Sequence, residues 1–117
     1  MISRRVLTLS SLGLLAGASL PALAQTAYPE RALRMLVGFA PGGANDALAR
    51  LIATPLAADL GQPVVVENRP GVGSTVAIAE VARARPDGHM LVLGATGGHA
   101  IAPALYSRLP YDAAKDV

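Results

Sequence analysis

Three times in succession this chain runs from an apolar stretch through a glycine-rich loop into a stretch with helical spacing. Leu33 to Phe39 leads into Pro41, Gly42 and Gly43, and a helix is expected from Asn45. Val64 to Val66 leads through a polar loop, Glu67 to Ser74, into a helix over about residues 75–84. Met90 to Leu93 leads through Gly94, Ala95, Thr96, Gly97, Gly98 and His99 into a short helix over about residues 100–106. Short, nearly continuous apolar strands alternating with helical crossovers predict an α/β fold with a parallel sheet. In such a sheet every strand-to-helix loop lies at the C-terminal edge. That is where open α/β sheets bind ligands.

The first helix carries Leu48, Leu51, Ile52, Leu56 and Leu60 as one apolar stripe. Pro55 inside it predicts a bend, and Gly61 followed by Pro63 predicts its end. In the second helix the apolar positions are Val76, Ala79 and Ala82, or Ile78 and Val81, with Ser74 or Thr75 available as cap. Pro86, Asp87 and Gly88 spell a turn. His89, just after it, is expected in solvent.

Ahead of these units lie a basic start, an apolar stretch from Val6 to Leu20, Pro21, and a small-x-small site at Ala22 to Ala24. These are the three regions of a secretory signal peptide, with cleavage expected after Ala24 and a periplasmic product. The stretch is short for a membrane span and is interrupted by Ser10, Ser11 and Ser19. Arg4 and Arg5 also fit a twin-arginine signal, so the export route stays open. Removing residues 1–24 lowers Lys+Arg from 10 to 8 against 8 Asp+Glu, so the remaining net charge is zero. No basic surface remains to argue for nucleic acid. There is no cysteine, which excludes disulfides.

The three loops together offer backbone N–H groups at Gly42, Gly43, Ala44 and Asn45, at Gly71, Val72, Gly73 and Ser74, and at Thr96, Gly97, Gly98 and His99. Glycine lets the backbone approach a ligand closely and take positive φ. Amides grouped at helix N-termini suit an oxyanion. Asp46 either supplies favourable charge at a helix start or accepts a hydrogen bond from loop two or a ligand-bound water. Arg69 either forks onto a ligand carboxylate or pairs with Glu67. Enzyme signatures are missing. Gly71, Gly73 and Val76 form an incomplete dinucleotide fingerprint, and there is no P-loop, no nucleophile elbow and no metal-ligand spacing for His89 and His99. No cofactor and no metal are expected. His99 as a base has no nucleophile paired with it in the sequence.

Three segments, YPERALRMLVGFAPGGANDALAR, LGQPVVVENRPGVGSTVA and PDGHMLVLGATGGHAIAPALYSRLPYDAAKDV, resemble the Bug family. These are extracytoplasmic solute receptors of tripartite tricarboxylate transporters. The resemblance runs from Tyr28 to Val117. It implies a two-lobed Venus-flytrap fold and a small carboxylic acid as ligand. It also implies the transporter's membrane components, or a sensor protein, as partners. It maps ligand binding onto Phe39, Pro41, Gly42, Gly43, Asn45 and Asp46 in loop one, onto Arg69, Pro70, Gly71, Gly73 and Ser74 in loop two, and onto Thr96, Gly97 and His99 in loop three. Ala102 stands where the family pattern has asparagine. Family members continue well beyond LPYDAAKDV. Residues 25–117 are therefore expected to be the N-terminal part of lobe one, with the second lobe absent, as a fragment or a truncated frame. The alternatives are a remnant that binds nothing and an α/β enzyme using His99.

Overall fold

The computed structural model describes residues 27–117; the signal-peptide expectation lies outside them. Strand β1 (Leu33–Val37) is followed by helix α1 (Ala44–Leu60), β2 (Val64–Asn68), α2 (Thr75–Arg83), β3 (Met90–Leu93) and the short α3 (Ala102–Leu105). The strands form one parallel sheet in the order β2-β1-β3. Met35 faces Val66 on one side and Leu91 on the other. The first strand in the chain is thus the middle strand of the sheet. This explains why its apolar run is unbroken except at Arg34, since both its edges and both its faces are occupied.

Strand alternation divides the core in two. Met35 and Val37 point to one face and pack with Ala49 of α1, together with Phe39, Leu56, Val64, Val66, Leu91 and Leu93. On the other face Ile78 and Ala79 of α2 pack with Tyr111, Val92, Ala82, Leu109 and Ala113. The same face of β1 and β2 carries a polar lattice. Arg34 makes two parallel bonds to Glu67, at 2.6 and 2.7 Å, and reaches Glu80 of α2 at 3.3 Å. This fork holds the Glu67 carboxyl below its usual range.

Two expectations need correction, the leucine stripe of α1 and the solvation of His89. Helix α1 meets the sheet through Ala49 and Ala53, with Leu56 half-buried, and not through the predicted leucine stripe: Leu48, Leu51 and Ile52 are exposed, Leu51 by 71%. Small side chains let the helix sit close to the strands, and the larger ones flank that contact. Pro55 lies inside α1, which runs on past it to Leu60. It lies on the exposed side, where the carbonyl one turn back can turn to water. Gly61 ends the helix as expected, with φ of 69° and its N–H donated to Ala57 O at 3.0 Å. His89 is not solvated but 6% exposed. Tyr28 stands edge-on to its ring at 5.1 Å and donates its hydroxyl to Gly88 O at 2.7 Å. That pair closes the N-terminal edge of the sheet over the turn.

Candidate functional site

Loop one connects β1 to α1 and is organised by a buried carboxylate. Asp46 lies in the first turn of α1 and is buried. Its Oδ2 accepts from Arg50 Nε and from Gly42 N, each at 3.0 Å, and its Oδ1 accepts from Asn68 Nδ2 at 3.0 Å. The Arg50 bond first, then the Gly42 amide and Asn68, hold this carboxyl far below the usual carboxylate range. It is ionised at every ordinary pH. Asn68 Nδ2 also donates to Phe39 O at 3.1 Å. One side chain at the end of β2 therefore joins the start of loop one to the helix that follows it.

Loop two is strained. Val72, Gly73 and Ser74 form a single tight turn with φ values of 39°, 60° and 80°. A β-branched residue and a serine in the left-handed region are each held against steric cost, a feature that concentrates at functional sites. Ser74 is 0% exposed, and its Oγ has no hydrogen-bond partner among the described residues. It caps no helix, although it precedes α2. Its side chain fills the space above Gly38, where a Cβ on Gly38 would overlap Ser74 Oγ and Cβ and lie 2.5 Å from Ser74 Cα. Loops one and two touch there, and only glycine permits it.

Loop three is shorter than predicted, because helical structure begins at Thr96 and passes through one π-helical turn, Gly97–Ile101, into α3. Such widened turns recur at binding sites. Gly98 N and His99 N both donate to Ala95 O, each at 3.2 Å. The carbonyl of Gly98 accepts the buried Tyr111 hydroxyl at 2.6 Å. The backbone of Gly97 passes against that of Gly73, so a Cβ on Gly97 would sit 3.0 Å from Gly73 O. Loop two is thus wedged between the other two loops, and all three gather at the C-terminal edge of the sheet as predicted.

Over residues 48–117 the sequence matches the family described as "Tripartite tricarboxylate transporter family receptor". The chain belongs to this receptor family. It is 46% identical to MatC of Rhodopseudomonas palustris, solved with bound malate, with a TM-score of 0.72 over 76% of this chain and 30% of that one. An R. palustris protein solved with adipate is 38% identical with a TM-score of 0.70, over 74% of this chain and 29% of that one. The periplasmic binding protein BugD is 44% identical with a TM-score of 0.69, over 74% of this chain and 28% of that one. The α/β fold is therefore that of periplasmic binding proteins, and the family is one of transporter receptors and not of enzymes. The chain spans about three tenths of the length of the curated relatives it matches.

Within this receptor-family frame the predicted residues divide. Pro41, Gly42 and Gly43 are exposed on loop one, with Asn45 half-buried at the start of α1. Gly71, Gly73 and Ser74 form loop two, and Thr96, Gly97 and His99 open the helix of loop three. Phe39 turns its ring into the core and contributes its carbonyl. Arg69 is directed to the α2 face, where it donates to Glu67 Oε2 at 2.9 Å and Glu80 Oε2 at 3.1 Å. The pairing with Glu67, weighed from the sequence, is what the structure contains. His99 folds over Gly94 with Nδ1 3.4 Å from Ala95 O, and among the described residues no side-chain nucleophile is hydrogen-bonded to its ring. Asn68, Gly38 and Tyr111 escaped the sequence reading. An asparagine closing a valine strand at the sheet edge was the one available signal for Asn68. Gly38 and Tyr111 act through contacts that only the fold creates.

Proposed function

We propose that this chain takes part in periplasmic capture of a small carboxylate for a tripartite tricarboxylate-type transporter. The observation that carries this reading is the convergence of three glycine loops, touching at Gly38/Ser74 and at Gly73/Gly97, on the C-terminal edge of a parallel sheet. Amides of Gly43, Ala44 and Asn45 at the start of α1, those of Gly71, Val72 and Gly73 in loop two, and those of Thr96 and Gly97 form a polar, weakly charged seat, the Ser74 N–H being donated to Gly71 O. The buried Ser74 side chain, seated on Gly38, holds loops one and two side by side so that their amides face one seat. Malate and adipate in relatives make a dicarboxylate the first class to try.

In this reading Asp46 shapes loop one without touching the ligand, because its charge is matched by Arg50 and both its oxygens are occupied. Arg69, engaged by Glu67 and Glu80, secures the base of loop two. The seat is the first-lobe half of a cleft, and a second lobe closing over it would be the conformation the transporter senses. Periplasmic residence and the signal peptide over residues 1–24 belong to the same proposal. Isothermal titration of the chain with malate, adipate, a monocarboxylate and a tricarboxylate tests it. Heat with at least one acid is expected; no heat with any acid sinks the reading.

A further inference from the structure

Asn68 is the point at which β2 governs loop one. Its Nδ2 donates to Phe39 O at 3.1 Å and to Asp46 Oδ1 at 3.0 Å. Both partners are acceptors, so only the NH2 end of the amide fits here and its orientation is fixed by chemistry. Each bond ties down an oxygen. A carbonyl oxygen is the negative end of a peptide dipole. Released on loop one, the Phe39 carbonyl would compete with the N–H groups for the space facing an anion. A released Asp46 carboxylate would bring a full negative charge to the same helix start, where it would oppose the positive dipole end. Arg50 already compensates that charge from one turn along α1, but Arg50 is anchored only on the Oδ2 side. The Oδ1 side depends on Asn68.

We infer that Asn68 is a positioning residue for the carboxylate seat, tying back the Phe39 carbonyl and the Asp46 carboxylate so that loop one presents N–H groups and not oxygens to an anion. This rests on the carboxylate reading of the three loops. It adds a second requirement to that reading. The loop-one amides bind only while a side chain from the neighbouring strand holds the loop's own oxygens out of the seat.

The test is Asn68→Asp, which replaces the donor by an oxygen of nearly the same shape. At pH 7 three acceptors then meet with no donor. Affinity of the full chain for malate and adipate is expected to fall on the order of tenfold or more relative to the unsubstituted chain. Paired carboxylates raise one another's pKa, so at about pH 4–5 the added carboxyl regains a proton and donates again. The affinity ratio between variant and parent, taken at the same pH, is expected to narrow there. Asn68→Ala is expected to weaken binding with no such recovery. Equal affinity of Asn68→Asp and parent at pH 7 overturns the inference, and so does a loss that does not narrow at low pH. Where the parent binds none of the four acids of the titration panel, the carboxylate reading fails separately. The 15N-resolved Gly42 amide then decides the positioning role: a resonance that moves with the titration of the Asn68→Asp variant supports it, and one that does not overturns it.

Discussion

Replacing Ser74 by glycine is expected to stabilise the fold while damaging the site. Ser74 has φ of 80°, is wholly buried, and carries a hydroxyl with no partner. A left-handed conformation costs a residue with a Cβ about 1–2 kcal/mol, which glycine does not incur. A buried hydroxyl without a partner costs about 1–3 kcal/mol, and glycine removes it. Against this, glycine gains chain freedom in the unfolded state worth about 0.5–1 kcal/mol. Loss of one Cβ and its contacts above Gly38 costs about 1 kcal/mol more, on the scale of a buried methylene. The net is about 2 kcal/mol in favour of Ser74→Gly. A domain of this size then gains on the order of 10 °C in Tm. Thermal melts followed by far-UV circular dichroism, with urea midpoints as a check, measure it. A Tm below that of the parent refutes the reasoning, because it would mean that the hydroxyl has a partner in solution and the turn is unstrained. Titration with the acid that binds best completes the experiment. Higher stability with weaker binding is the trade expected of strain held at a functional turn.

Gly38→Ala drives a methyl group into Ser74, whose backbone cannot move aside, so a loss near the upper end of the overpacking range, about 3 kcal/mol, is expected. A Tm within a few degrees of the parent would show that loops one and two do not meet there. Tyr111→Phe removes the donor to Gly98 O and leaves a buried carbonyl unpaired, at a cost of about 1–3 kcal/mol. Faster hydrogen exchange at the Gly98 and His99 amides should accompany it, and unchanged exchange would disconnect Tyr111 from loop three. Asp46, Glu67 and Asp87 all have carboxyls held below their unfolded values. The unfolded chain therefore binds protons first as the pH drops. Their contribution to stability is complete above the ordinary carboxylate range and is lost on acidification through it, below about pH 4–5. Urea midpoints measured from pH 7 to pH 3 should be level and then fall, with a shallower fall in Asp46→Asn. An Asp46→Asn profile as steep as the parent's would remove Asp46 from that account.

The layout of the site was legible because it depends only on element order. Apolar runs ending in glycine and feeding helices impose parallel strands, and parallel strands place every such loop on one edge. What escaped was decided by the register between strands and by packing distance. Leu48, Leu51 and Ile52 read as a core stripe because α1 is apolar on more than one face. Which face meets the sheet is decided by Ala49 and Ala53, whose small size matters only once the helix is in place. His89 looked solvated because Tyr28, the residue that covers it, lies at the far end of the chain. Asn68 and Arg69 are adjacent in sequence, yet the strand's alternation sends one to Asp46 and the other to Glu80. The sequence shows both as polar loop residues. Only their positions at and just beyond the end of β2 separate a residue that shapes loop one from one that braces α2.

The order β2-β1-β3 has a consequence for how the chain reaches its folded state. The strand made first is the one that must wait longest. Met35 finds Val66 only after α1 has crossed the sheet, and Leu91 only after α2 has crossed back. Every strand pairing is long-range and parallel, the slow kind of contact to form. β1, α1 and β2 make up one crossover unit that can assemble first, and α2 and β3 add to its open side. The three loops of the site are split between these two steps. Ser74 reaches Gly38, and Gly97 reaches Gly73, only when the second unit docks. The seat is therefore complete only when both units are in place, and the unit ending at β2 has α1 but no loop three beside it.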